Sequence, residues 1–405
     1  MSPALTPSSV GAVARVVELA RRHLDMDLAV LSEFTDGRQV YRWLDGDAVS
    51  FGLGLGAGPA LEDSYCALMA AGVIDGAIPD AAVEPAVRDL PGTAGAGIGS
   101  YVGAPVRLSD GSLYGSLCGI SHDARPVDAK DARLLSLLAD LLAADLDREV
   151  EDRRARARVS AVIDDDRLDI ALQPVVDLAG GTVIGVEALS RFDPCLGAPD
   201  AVFAEAHRLG LGPQLERHAV RRALALLPLL TDDLFLAVNL SPATALELTD
   251  MVGRDDLPMD RLVLEMTEHV AVEDYSELRR RLAPARRRGV RLSIDDAGAG
   301  YSSLQHIVEL GPDIIKIDRS LIDGVWKDPV RRSVVGALVA LAHETGADVV
   351  AEGVEELADL TAAEALGVDH VQGYLLARPS TDRALLSRWR AARYSFRAAA
   401  DALLD

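Results

Sequence analysis

Apolar residues recur at helical spacing from Val10 to Leu24 and leave a polar face, so the chain is expected to open with an amphipathic helix. The pattern then shortens to alternation over Asp27 to Phe34, which predicts a strand, followed by a polar turn at Thr35–Gly37 and a second short strand. Ser100–Val106 and Leu113–Ser121 read as two further strands joined by Ser109-Asp110-Gly111. Pro126–Leu146 reads as a long helix with an acidic first turn, running on through Asp147 to Arg158 as its leucines give way to charges. Leu134, Leu138 and Leu141 have the spacing of a dimer seam, which stops at Asp145; the alternative is a solvated helix with neighbouring opposite charges such as Glu151 and Arg154.

Beyond Asp166 the texture changes to short apolar runs alternating with amphipathic segments, the pattern of a β/α barrel. Strands are predicted near Leu168–Asp177, Val183–Leu189, Leu234–Leu240, Leu262–Thr267, Val290–Ile294, Ile314–Ile317, Val349–Ala351 and Val368–Val371. Every strand after the first carries a polar residue at or near its end: Glu187, Asn239, Glu265, Asp295, Lys316, Glu352 and Gln372. Active sites of such barrels lie at the carboxyl ends of the strands, so these residues are expected to share one mouth. Any one of them alone reads equally well as a satisfied core group or a cap; seven in register read as a site.

The most pointed stretch is Leu292–Leu304, LSIDDAGAGYSSL, where an apolar strand ends in two adjacent carboxylates and then glycines. Asp295 and Asp296 repel each other unless a cation lies between them, and oxygen donors of this kind suit a divalent metal. An isolated Asp-Asp pair would more simply be a turn or helix cap.

Composition narrows the setting. The 405 residues allow two or more domains, and 49% hydrophobic with 26% charged residues is ordinary globular composition. The net charge of −22 is shared, with 11 Lys and Arg against 21 Asp and Glu in residues 1–150 and 30 against 42 in the rest. Such a surface repels duplex nucleic acid and anionic membrane, so a phosphate-bearing ligand needs local cations or metal, and no DNA partner is expected. Cys66, Cys118 and Cys195 lie far apart without a CxxC spacing, which argues against a disulfide framework or a zinc site. The start lacks the basic end and apolar core of a signal peptide and no stretch stays apolar long enough to span a bilayer, so a cytoplasmic protein without membrane insertion is expected. The glycine-rich GLGLGAGPA at residues 52–60 lacks the Lys-Ser/Thr of a phosphate-binding loop.

The run SYVGAPVRLSDGSLYGSLCGISHDARPVDAKDARLLSLLADLLA resembles the closing hairpin and helix of a GAF domain, an α+β sensor fold, over about residues 8–148. The resemblance does not name its ligand: Cys66 is followed by Ala67 where a bilin-binding GAF would have His, and haem ligation by His23 or His122 would rest on a lone histidine. The segments VEALSRF, AVNLSP, LEMTE, SIDDAGAGYSSL, IIKID, VVAEGVE and VQGYLLARP resemble the successive motifs of EAL-type cyclic-di-GMP phosphodiesterases, over residues 160 to about 392. The resemblance implies a modified TIM-like (β/α)8 barrel with an antiparallel first strand, and domains at 1–148 (GAF-like), 149–160 (helical linker) and 161–405 (EAL).

It also implies roles. Glu187, Asn239, Glu265 and Asp295 would bind one Mg²⁺ or Mn²⁺, Asp295 bridging to a second ion that Asp296 helps hold, with Glu352 completing the shell or taking a proton from the attacking water. Lys316 would orient that water and offset charge on phosphate. Gln173, Leu189, Arg191 and Gln372 would grip the substrate, and Glu268 would steady the loop carrying Asp295 and Asp296. The product would be linear pGpG, made by a homodimer in second-messenger signal transduction.

The sequence departs from the family's usual Asp-Asp-Phe-Gly-Thr-Gly, having Ala297 and Ala299 for the aromatic and the threonine, so a less firmly held loop is expected. The rival reading is a cyclic-di-GMP receptor that signals by protein interaction; against it, no ligand nor the lysine is lost. An enolate-forming metal barrel fits the acid and lysine types but not the ordered motifs, and no Gly-Gly-Asp/Glu-Glu-Phe cyclase signature occurs.

Overall fold

The computed structural model describes residues 7–247, 258–266, 272, 274–298, 302–391 and 394. The chain divides into two compact units, Met1–Ala155 and Arg156–Asp405.

The first unit opens with α1 (Pro7–His23), whose last turn carries Arg21, Arg22 and His23, where cations complement the helix dipole. Strands β1 (Leu28–Thr35), β2 (Arg38–Gly46), β3 (Ala77–Ile78), β4 (Ser100–Arg107) and β5 (Leu113–Ser121) form an antiparallel sheet in the order β2-β1-β5-β4-β3. Short helices α2 (Tyr65–Ala70) and α3 (Pro91–Ala94) intervene, and α4 (Ala129–Asp164) follows. Apolar residues on both faces of the sheet are buried. On one side Ala29, Leu31 and Leu117 pack with Val13, Val17, Leu135 and Leu142; on the other Leu28, Val30, Cys118 and Ile120 pack with Tyr65, Cys66 and Tyr101.

The leucine seam expected on α4 is not what the helix presents. Its core-facing stripe runs through Leu135, Leu138, Leu142 and Leu146, so Leu138 is buried and Leu134 packs against the same core. Of the three expected seam residues only Leu141 is exposed, beside Leu137, because the core against the sheet takes in Leu138 and part of Leu134.

The second unit is a closed barrel of β6 (Asp169–Asp177), β7 (Thr182–Arg191), β8 (Phe235–Leu240), β9 (Leu262–Met266), β10 (Arg291–Ala297), β11 (Ile314–Ile317), β12 (Asp348–Ala351) and β13 (His370–Val371). β6 runs antiparallel to both β7 and β13, while the other neighbours are parallel. This is the modified TIM-like barrel with a reversed first strand that the motifs implied. Helices α5 (Pro199–Arg208), α6 (Gly212–Leu224) and α7 (Pro242–Glu247) flank β7 and β8. No helix among the described residues is long and apolar enough to cross a membrane.

The barrel interior explains the polar strand ends. Ala237, Val263, Ile314 and Val350 belong to one buried apolar layer with Val175 and Phe235. Side chains two residues apart on a strand share a face. The next inward positions after those four are therefore Asn239, Glu265, Lys316 and Glu352, so the lining turns from apolar to polar at the carboxyl rim.

Candidate active site

Lys316 sits at the centre of that rim. Its side chain is 2% exposed, and Nζ lies 2.6 Å from Glu352 Oε1, 3.1 Å from Glu265 Oε2, 3.1 Å from Asp295 Oδ1 and 3.4 Å from Glu187 Oε2. Burial alone would push the ammonium down, but Asp295, Glu187, Glu265 and Glu352 together hold it well above the usual lysine range. Burial, reinforced by Glu187, pushes Glu265 well above the usual carboxylate range, and burial with Asp295 does the same to Glu352. For Glu187, burial is outweighed by Lys316 and by amide donors from Gln372 and Asn239, and its carboxyl is held low.

Those amides form a collar. Asn239 Nδ2 donates to Glu187 Oε1 at 2.8 Å, and Gln372 Nε2 donates to Glu187 Oε2 at 2.7 Å and to Gln173 Oε1 at 3.1 Å. Gln173, opposite Glu187 in the β6–β7 ladder, spends its own Nε2 on Ala377 O at 3.0 Å. Of the two glutamines that the motifs assigned to substrate, Gln372 thus bonds Glu187 directly and Gln173 bonds Gln372, and Gln372 Oε1 is buried without a hydrogen bond among the described residues.

Adjacent strand residues face opposite sides, so Asp295 and Asp296 would not meet in a regular strand. The β10–β11 register shifts between Ile294 and Ala297, and Asp296 takes a left-handed φ of 54°. That bulge turns both carboxylates to one side. Asp295, Asp296 and Glu352 each offer an oxygen within 4.8 Å of the others, the geometry of a metal-holding group. Gly298, at φ 103°, makes the following turn, and a Cβ there would come within 2.3 Å of Leu321.

These donors fit divalent cations. Glu187, Glu265, Asp295 and Glu352 crowd the ammonium of Lys316, with Asp296 beside Asp295 and Glu352, and burial that resists ionisation of Glu265 and Glu352 leaves a set of hard oxygen donors calling for more positive charge. Among the described residues Asp295 Oδ1 is buried and accepts no aligned hydrogen bond although it lies near Lys316 Nζ.

The rim opens into a cavity of about 710 Å³. Glu187, Asn239, Asp295, Asp296 and Gln173 line it, as do Leu189 and Arg191; the Arg191 Nη1 donates to Ser190 O at 2.8 Å. Glu268 and Ala299 lie outside the described residues. Ala297 is fully buried at the end of β10. The sequence reading missed His207, Glu216 and Ser241, which also line the cavity. Glu216 had a legible signal, since it interrupts the apolar stripe of Leu215, Ala219, Val220 and Ala223 on α6.

The EAL domain model matches residues 155–379 and the GAF domain model residues 11–146. The chain belongs to the EAL domain family and carries a GAF domain ahead of the EAL domain. Among its relatives is the bifunctional diguanylate cyclase/cyclic di-GMP phosphodiesterase MucR of Pseudomonas aeruginosa, 35% identical over 234 residues, 55% of this chain and 34% of MucR. The signaling protein YkoW of Bacillus subtilis is 29% identical over 229 residues, 54% of this chain and 29% of YkoW. The chain therefore spans about a third of the length of these relatives. The solved c-di-GMP complex of the PaMucR phosphodiesterase superposes with a TM-score of 0.50 at 32% identity, covering 57% of this chain and 99% of that one.

Proposed function

We propose that this protein is a divalent-metal-dependent phosphodiesterase that hydrolyses cyclic-di-GMP to linear pGpG under the control of its GAF domain. The observation that carries this reading is the convergence of Glu187, Glu265, Asp295 and Glu352 on Lys316 Nζ at the mouth of a barrel. Its relationship to MucR, and the c-di-GMP bound in the PaMucR structure, support the choice of substrate.

Glu187, Asn239, Glu265, Asp295, Asp296 and Glu352 would hold two Mg²⁺ or Mn²⁺ ions, which when bound activate water and neutralise a phosphodiester oxygen. The chain's own residues do the rest. Lys316 places a fixed positive charge against the scissile phosphate and orients the attacking water, in a buried setting where such a charge is strong. Glu352, in contact with Lys316, takes the water's proton or completes the metal shell. Asn239 and Gln372 hold Glu187 in one orientation. Arg191, on the cavity wall, pairs with a substrate phosphate, and Leu189 packs against the ligand.

The expected homodimer and cytoplasmic location belong to this reading. Leu137 and Leu141, exposed side by side on α4, support a self-association surface.

The test is hydrolysis of c-di-GMP by the full chain with Mg²⁺ and with Mn²⁺, alongside Glu187→Ala and Lys316→Ala. Linear pGpG from the wild type and none from either variant is the expected result. Binding without cleavage would instead make the protein a receptor.

A further inference from the structure

One buried carboxylate has no part in the chemistry above. Glu216 lies in the apolar stripe of α6 and is 7% exposed. A carboxylate in such a place is costly unless hydrogen-bonded. Its Oε2 accepts from the Ser241 backbone N–H at 2.9 Å and from the Ser241 hydroxyl at 2.7 Å, and its Oε1 meets His207 Nε2 at 2.6 Å. Ser241 is the first residue past β8, two beyond Asn239, and its hydroxyl accepts from Thr244 N–H at 3.3 Å to open α7. His207 reaches Glu216 only because residue 212 is glycine: a Cβ there would come within 2.2 Å of His207 Nδ1. Glu216 therefore joins α5, α6 and the β8–α7 turn at the cavity wall.

We infer that Glu216 is a positioning residue for the metal site, fixing the end of β8 through Ser241 and so the angle at which Asn239 presents its amide. The inference rests on the metal-dependent reading above. Partners that orient metal ligands commonly change metal affinity by about 10–100-fold. Asn239 and Leu240 are already paired with Glu265 and Met266 in the sheet, so the brace acts from beyond the last paired residue and the lower end of that range applies.

The experiment is Mn²⁺ binding to the full chain, read from the electron paramagnetic resonance signal of free Mn²⁺, with c-di-GMP hydrolysis measured in parallel. Glu216→Leu is expected to weaken Mn²⁺ binding about tenfold. Glu216→Gln, whose carbonyl still accepts from Ser241, is expected to stay within about threefold. Ser241→Ala should lose part of the effect, and the Glu216→Leu/Ser241→Ala double variant should be no worse than Glu216→Leu. A carboxylate that merely stabilised the fold would lower the melting temperature and leave Mn²⁺ affinity alone.

Unchanged Mn²⁺ affinity in folded Glu216→Leu, or additive losses in the double variant, overturns the inference. Should Glu216→Leu fail to fold, wild-type affinity in Ser241→Ala overturns it equally well. Weakened Mn²⁺ binding in the variants with no hydrolysis by the wild type keeps the brace and removes the phosphodiesterase reading. Hydrolysis with Mn²⁺ affinity unmoved by the variants removes the brace alone, and a wild type that binds no Mn²⁺ removes both.

Discussion

Lys316 Nζ lies 2.6 Å from Glu352 Oε1, joining the inward face of β11 to the residue just past β12. It is the shortest of four ion pairs made by one ammonium that is almost wholly buried. Removing that ammonium leaves several carboxylates buried together without a counter-charge, so the consequences extend beyond lost chemistry.

Lys316→Met is expected to lower c-di-GMP turnover by about 10²–10³-fold, the usual effect of losing one preorganised charge. Without metal it should also destabilise the barrel by about 3–5 kcal/mol. Added Mn²⁺ should restore most of that stability but not the turnover. Thermal unfolding with and without Mn²⁺ decides; equal melting temperatures for wild type and variant without metal would count against the burial argument.

Asp296 holds a left-handed backbone that costs a non-glycine residue about 1 kcal/mol. Asp296→Gly relieves this strain while removing a carboxylate from the group formed with Asp295 and Glu352. The expected outcome is an unfolding free energy within about 1 kcal/mol of wild type, with Mn²⁺ binding about tenfold weaker. Urea unfolding and a Mn²⁺ titration of the same preparation separate the two effects.

Ala297→Phe restores the aromatic usual in the family motif. Because Ala297 is fully buried, we expect overpacking by about 1–3 kcal/mol and reduced turnover rather than a rescue. Higher turnover in the variant would show that the loop expectation drawn from the motif was right.

His306 is fully buried beside Tyr275, with no hydrogen bond to either ring nitrogen among the described residues. Burial lowers its pKa from the ordinary 6.5. The unfolded chain therefore takes up the proton first as pH falls. Stability from this group is complete above about pH 6.5 and is lost as the pH drops toward the lower folded value, by at most about 1.4 kcal/mol per pH unit. Melting temperature between pH 7 and 5 should fall less steeply in His306→Phe than in wild type.

In the first unit, Glu33 is 8% exposed and is held by Arg42 at 2.6 Å and by Arg153 of α4 at 2.5 Å. Glu33→Ala strands two partly buried guanidinium groups and is expected to destabilise this unit by about 3 kcal/mol. A scanning calorimetry transition that does not shift in the variant would rule this out.

The sequence alone fixed which chemistry was available. Short apolar runs, each after the first closed by an acid, an amide or a lysine, placed the barrel strands within a few residues and named the groups at the rim, because apolar runs and strand ends are local properties. Tertiary structure decided how those groups are spent. The bulge that brings Asp295 and Asp296 to one side comes from the β10–β11 register. The chain of hydrogen bonds from Gln173 to Gln372 and from Gln372 to Glu187 depends on the antiparallel β6 lying between β7 and β13. Leu138 left the expected seam because the sheet, distant in sequence, claimed it. Glu216 acquires a role only where α5, α6 and β8 meet, since hydrogen bonds between elements leave no periodic trace in the chain.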